Sequence, residues 1–168
     1  MAASDSILSS VDLHALFEYR DGDLFWRVPA GPRGLIKAGS KAGTMHPDGY
    51  KSVRIKNIML KQHRVIFHMF HGFCPNVIDH IDGNPSNNRI ENLREATFSQ
   101  NSWNSRGQAR KLDGIKGVYW HKNKNLWIAS CAINKRLHHI GYFQDKKDAE
   151  KAVMEFREKH HGEFARHM

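Results

Sequence analysis

Residues 77–101 read VIDHIDGNPSNNRIENLREATFSQN, and this stretch decides how the centre of the chain folds. The run VIDHID alternates in the way that is typical of a short strand. After a turn and a second short run, Thr97 stands three residues before Gln100, which is the pattern of a helix capping box. An apolar helical pattern from Leu60 to Gly72 precedes the stretch. The sequence therefore predicts a compact unit of helix, strand, Asn-rich loop, short strand and helix.

Four asparagines crowd the segment from Asn84 to Asn92. Asparagine is a poor interior residue in helices and strands because its side chain competes for backbone hydrogen bonds. We therefore interpret Asn84, Asn87 and Asn88 mainly as turn formers. Asn92 lies in the returning loop, where its amide can hold the loop and orient His80 by hydrogen bonding.

The Asp-His pair at the end of the first strand has the residue types that phosphodiester hydrolysis needs. The reaction requires an activated water and a cation that absorbs charge on the phosphate. His80 suits the general base, because a histidine accepts a proton readily near neutral pH. Asp79 points to the opposite face of the strand and can give a hard oxygen to Mg²⁺, and Asn101 on the capped helix can supply a second oxygen. The alternative interpretation is an Asn-rich turn that caps a small domain without catalysis.

This set of residues resembles the HNH nuclease family, whose fold has two strands, a helix and a metal ion. The resemblance runs from about His63 to Asn104 and lies in DHIDGN, NNRIENLR and the QN of the following helix. It implies that Asp79 is the first metal ligand, His80 the general base, Asn92 the orienting residue and Asn101 the final ligand. Many members have histidine at the final position. The asparagine found there in this sequence resembles the pattern of the phage homing endonucleases. The expected cofactor is one Mg²⁺ or Mn²⁺ in each active site, in preference to zinc.

Short strands separated by turns dominate the chain before residue 60. LFWRV at 24–28 and YKSVRI at 50–55 alternate in a way that fits hairpins. A short helix is predicted from Ser10 to Tyr19, with Ser10 as its N-cap. This part is predicted to be a small β-rich platform.

The chain after residue 113 has three strand-like runs and a helical pattern that starts after Asp145. KGVYW, LWIA, HIGYF and DAEKAV resemble the APETALA or ethylene-response-factor type of DNA-binding domain. In that family, residues that face outwards on the strands contact DNA in the major groove. The alternative is that Trp120 and Trp127 both belong to the core of the sheet and the lysines form a solvated face. The residues that the resemblance places at DNA are Lys116, Tyr119, His121, Lys124, Trp127, Lys135, Arg136 and His138.

The predicted fold class is α+β, in four parts. The central part is the ββα nuclease unit, and the last is a three-stranded antiparallel sheet packed on one helix. The predicted parts are a β-rich region at 1–59, the nuclease unit at 60–105, a linker at 106–113 and the sheet-helix domain at 114–168.

The charge of the chain favours a polyanionic partner. The formal net charge is +9 and the isoelectric point is near 9.7, so nucleic acid is favoured over an anionic membrane as the partner. We expect a protein of the cytoplasm, or of the host cytoplasm if a phage encodes it, because no apolar run approaches a membrane span. Cys74 and Cys131 are too far apart in sequence for a zinc motif or a disulfide framework, and the spacing of His63, His68 and His71 does not match a zinc pattern.

The function predicted from these features is a metal-dependent DNA endonuclease of the homing type, which nicks DNA or cuts both strands. Double-stranded DNA is the expected partner, without a small-molecule cofactor, and the oligomeric state stays open. The alternative is a non-catalytic DNA-binding regulator on an HNH scaffold. An RNA-binding accessory protein is disfavoured because the sequence has no RNP-like motif with paired aromatic residues.

Overall fold

A computed structural model gives the structure of residues 3–104, 115–133 and 136–165. The chain divides into two compact units, Met1–Ala96 and Thr97–Met168. Helices and small antiparallel sheets make up the described residues, which confirms the predicted α+β class. None of the described helices is long and apolar enough to cross a membrane. The predicted linker, 106–113, lies outside the described residues.

The first unit begins with two short helices and a hairpin. The prediction of one helix from Ser10 to Tyr19 was wrong in its extent. Asp12, not Ser10, caps the helix, and its carboxylate accepts a hydrogen bond from the backbone N–H of Ala15 at 3.0 Å. The helix ends early because the alternating residues FEYR pair with the next strand. These elements are α1 (Ala3–Ser9), α2 (Leu13–Leu16), β1 (Phe17–Arg20) and β2 (Asp23–Trp26).

A three-stranded sheet and a helix lead into the central strand pair. The strand predicted at 50–55 is present, and the predicted helix ends at Gly72, whose left-handed backbone (φ 75°) favours glycine. The central strands pair in antiparallel register, with Asp79 opposite Arg94 and His80 opposite Leu93. The elements are β3 (Thr44–Met45), β4 (Lys51–Ile55), β5 (Ile58–Lys61), α3 (Gln62–His71), β6 (Val77–His80) and β7 (Leu93–Ala96).

One hydrophobic core joins the helices and all strands of the first unit except β3. Phe17 and Leu24 from the first hairpin belong to the same buried cluster as Val65 of α3. Ile78 and Leu93 bring β6 and β7 into that cluster. The end of β6, where the Asp-His pair lies, is therefore anchored in a rigid frame. The boundary predicted between residues 59 and 60 falls inside this unit.

The second unit contains the predicted capping box, sheet and helix. The side-chain oxygen of Gln100 accepts a hydrogen bond from the backbone N–H of Thr97 at 2.8 Å, and the reciprocal bond measures 3.2 Å. The sheet has its long central strand between two others, and Ala149 and Val153 of the last helix pack on Ala129. The elements are α4 (Phe98–Asn104), β8 (Val118–His121), β9 (Leu126–Ile133), β10 (Arg136–Phe143) and α5 (Lys146–His161).

Candidate functional site

Asp79 is a buried carboxylate on β6 that pairs with an arginine directly across the hairpin. Only 3% of Asp79 is exposed. Its Oδ2 accepts a hydrogen bond from Nε of Arg94 at 2.9 Å, and Nη2 of Arg94 lies 2.9 Å from the same oxygen. Because both partners stand on paired strands, the carboxylate is held in one orientation.

His80 is the last residue of β6 and lies in a buried aromatic cluster. Its ring centroid is 5.1 Å from that of His63 and 5.9 Å from that of Tyr50, both in edge-on arrangements. Its Nε2 lies 3.0 Å from Oδ1 of Asn88. The imidazole is therefore fixed by packing and by a hydrogen bond.

His63 stays neutral beside His80. Burial, and then repulsion from His80, lowers the pKa of His63 to about 3. Near neutral pH the two rings therefore cannot carry two positive charges.

His68 lies 3.5 Å from the hydroxyl of Ser9, and His71 packs against Phe67. Within residues 3–104, 115–133 and 136–165, no group of three or more His, Cys, Asp or Glu side chains is arranged to hold a metal.

Asn92 closes the Asn-rich loop. Its amide nitrogen donates to Oδ1 of Asp82 at 2.9 Å and to the carbonyl of Asn87 at 2.8 Å. Its amide oxygen accepts from the backbone N–H of Asp82 at 3.0 Å. Burial raises the pKa of Asp82, but hydrogen bonds, led by that from the Asn87 amide, outweigh it and leave this pKa below its usual value. The contacts of Asn92 hold the loop together, and the amide oxygen hydrogen-bonded to His80 is that of Asn88.

The interpretation of Asn88 as a turn former was wrong, because its side chain is buried and bonds residues outside the turn. Asn88 is 1% exposed, and its amide bonds both His80 and the side chain of Gln62. Asn87, its neighbour, is only half-buried and serves the loop. Two adjacent asparagines in one turn-rich segment look alike in sequence, so only the fold separates their roles.

Comparison with known proteins supports the resemblance of the central segment to HNH nucleases. The profile of the HNH endonuclease family matches residues 60–103. Protein 3.8 of Escherichia phage T7 is 35% identical over 89 residues, which are 53% of this chain and 73% of that protein. The chain belongs to the family of Protein 3.8 and carries an HNH endonuclease domain. No solved structure matches the chain.

The donor atoms of the HNH domain suit a hard divalent cation. HNH nucleases are generally dependent on divalent metal ions. Asp79 offers carboxylate oxygens, which are among the hard ligands that such a cation prefers. Asn101, the residue that the HNH pattern assigns as the final ligand, is an exposed residue of α4 in the second unit. Its role as a metal ligand stays a prediction that rests on the order of residues.

We expect Asn92→Ala to destabilise the first unit, which holds most of the HNH domain. The substitution removes three hydrogen bonds that close the loop, and loss of buried or half-buried partners costs about 1–3 kcal/mol. Thermal denaturation should show a fall of roughly 4–8 °C for each kcal/mol in a domain of this size. Asn84→Ala is the matched control, because Asn84 is exposed and accepts only local bonds from Ser86. Equal melting temperatures for both variants would contradict the loop-holding role.

The open face of the C-terminal sheet carries exposed aromatic residues. Tyr119 and Tyr142 flank Ile128 in one row across the three strands, on the face away from α5. Both tyrosines are exposed. The ammonium group of Lys124 lies 3.9 Å from the ring centroid of Tyr142, and the ring of His139 lies 4.6 Å from it. We call this set, with His121, the aromatic face.

The residues predicted to contact DNA do not all lie on the aromatic face. Trp127 packs into the core beneath α5, and the ring of His138 lies 6.0 Å from that of Phe156 on that helix. Trp120 packs edge-on against Trp127 on the same side and remains partly exposed. Of the eight predicted residues, Tyr119, His121 and Lys124 lie on the aromatic face, Lys116 and Arg136 are exposed elsewhere, and Lys135 lies outside the described residues.

Two members of the aromatic face, His139 and Tyr142, were missed. Strict alternation groups His138 with Tyr142, but the register shifts between His139 and Gly141. Such a bulge moves all later residues to the other face of the strand. The glycine in HIGYF was the available signal, since an isolated glycine in a strand often marks a bulge.

Proposed function

We propose that the protein is a metal-dependent DNA endonuclease that hydrolyses phosphodiester bonds, with His80 as its general base. The observation that carries the proposal is the fixed, buried imidazole of His80 at the end of β6, next to the Asp79 carboxylate, within the segment that matches the HNH profile. The proposal includes cleavage at a specific DNA sequence, as in homing endonucleases.

The chemistry assigns one step to each residue. His80 takes a proton from a water molecule while the water oxygen forms a bond to phosphorus. The bond from phosphorus to the leaving oxygen breaks, and that oxygen takes a proton from solvent. Asp79, with Asn101 as the further ligand, would hold Mg²⁺ or Mn²⁺. When bound, the cation would neutralise charge on the phosphate and on the leaving oxygen.

Incubation with supercoiled plasmid tests the proposal. Nicked or linear DNA should form in Mg²⁺ or Mn²⁺, and EDTA should stop the reaction. Intact plasmid under all metal conditions, with DNA binding preserved, would contradict catalysis. That outcome would favour the second candidate, a DNA-binding regulator, which the net charge of +9 supports.

We also propose that the aromatic face binds double-stranded DNA, as the resemblance to the APETALA type of domain implies. A β-sheet face can enter the major groove, where tyrosines contact the bases and sugars and a lysine contacts phosphate. Lys124 is exposed and stands beside Tyr142, so one phosphate contact and one aromatic contact meet at the same point.

We expect Lys124→Ala to weaken DNA binding and to reduce its dependence on salt. Loss of one phosphate contact lowers the slope of log affinity against log salt by about 0.9 for B-form DNA. Titration of a fluorescent duplex at several salt concentrations measures that slope. Lys151→Ala is the control, because Lys151 is an exposed lysine on α5 that pairs with Glu155. An unchanged slope for Lys124→Ala would exclude a phosphate contact at this residue.

A further inference from the structure

A buried chain of hydrogen bonds links His80 to the protein backbone. The amide nitrogen of Gln62 donates to the carbonyl of Ala42 at 3.2 Å. The amide nitrogen of Asn88 donates to Oε1 of Gln62 at 3.3 Å, and Oδ1 of Asn88 lies 3.0 Å from Nε2 of His80. Gln62 and Asn88 are 0% and 1% exposed, so water does not compete for these bonds.

The carbonyl of Ala42 sets the direction of every bond in the chain. A carbonyl only accepts hydrogen bonds, so the group of Gln62 that faces it must be NH₂. The oxygen of Gln62 then faces Asn88, which must present its own NH₂. The oxygen of Asn88 is left to face His80, and it needs a donor there. Rotation of the Gln62 amide would break both of its buried bonds, and rotation of the Asn88 amide would bring two oxygens together at Gln62.

We propose that Gln62 and Asn88 are positioning residues that hold His80 in the tautomer with its proton on Nε2. The basic lone pair is then on Nδ1, so Nδ1 is the atom that accepts a proton from water. The catalytic consequence rests on the proposed endonuclease function, but the tautomer does not.

Packing around the His80 ring also restrains its orientation. His63 and Tyr50 stand edge-on to His80, so the ring is held between neighbours as well as by Asn88. His63 is itself buried, so its ring holds one side of the His80 imidazole in place. The two amides therefore act on a ring that is already restrained.

Nitrogen-15 NMR of the histidine rings in the full chain tests the proposal without reference to activity. The His80 signals are assigned by their loss in His80→Ala. We expect the wild-type ring to show protonated Nε2 and unprotonated Nδ1 near pH 8. Asn88→Leu and Gln62→Met should give a mixture of tautomers.

Cleavage kinetics give the second readout. Asn88→Leu and Gln62→Met should lower kcat on the order of 10- to 100-fold with little change in KM, because orienting partners act on the base and not on DNA affinity. Asn84→Ala, in the same loop, should keep both the tautomer and the wild-type rate.

A proton on Nδ1 of His80 in the wild-type protein would overturn the proposal. So would an Asn88→Leu variant that keeps both the Nε2–H tautomer and the wild-type kcat. If the wild-type protein shows the expected tautomer but cuts no DNA, the positioning stands and the proposed function fails. If the two apolar variants do not fold, the spectrum of the wild type still decides between the tautomers.

Discussion

His80→Ala is expected to abolish DNA cleavage while DNA binding persists. Loss of a general base typically lowers the rate by roughly 10²- to 10⁴-fold, because water is no longer deprotonated as it attacks. Binding should be retained, since His80 is 5% exposed and has little surface to offer to phosphates. Single-turnover cleavage of supercoiled plasmid measures the rate, and a filter-binding titration in Ca²⁺ or EDTA measures the affinity.

The control for this substitution must separate loss of chemistry from loss of structure. His71→Ala removes an exposed histidine of α3 whose ring contacts only apolar neighbours in the described residues, and it should cut at the wild-type rate. His80→Ala leaves space in the aromatic cluster, so its melting temperature should be compared with that of His71→Ala. Wild-type cleavage by a folded His80→Ala variant would exclude His80 as the base.

The central strand pair and the helices that precede and follow it in the sequence could be predicted because their signals are local. Gly72 ends α3, VIDH alternates, and Thr97 and Gln100 form the capping box that starts α4. Each signal acts within one turn or a few residues, so tertiary packing did not need to be known. The same holds for α5, where the side chain of Asp145 accepts a bond from the backbone N–H of Lys147.

The errors arose where a distant partner decides the outcome. Phe17 to Arg20 continues a helical pattern in sequence, but pairing with β2 makes it a strand. The bulge in β10 depends on the register with β9 and moved Tyr142 to the aromatic face. Both cases need the neighbouring strand, which a single segment of sequence does not specify.

In the candidate active site, too, the local signals could be predicted and the distant partners could not. The types and order of Asp79, His80 and Asn92 predicted phosphodiester hydrolysis, because this combination of residues suits few other reactions. The partners of these residues could not be found in the same way. Gln62 lies 26 positions before Asn88, and its contact with the loop follows only from the packing of α3 in the common core.

Asp79→Asn is expected to lower both cleavage and stability, and the two losses have different causes. Cleavage should fall by on the order of 10²-fold or more, because the substitution removes an anionic ligand from the site where charge develops. Stability should fall by about 3–5 kcal/mol, because the half-buried Arg94 loses the buried carboxylate with which it pairs. Metal titrations of the cleavage rate and urea denaturation measure the two effects.

The alternative explanation is that Asp79 serves only as the structural partner of Arg94, and a double variant separates the two roles. Asp79→Asn with Arg94→Met removes both members of the buried pair, so it should recover most of the lost stability. If Asp79 binds the metal, the double variant should remain inactive, while Arg94→Met alone keeps the carboxylate and retains metal-dependent cleavage. Recovery of cleavage together with stability in the double variant would show that Asp79 is structural, and the metal would then need another anionic ligand.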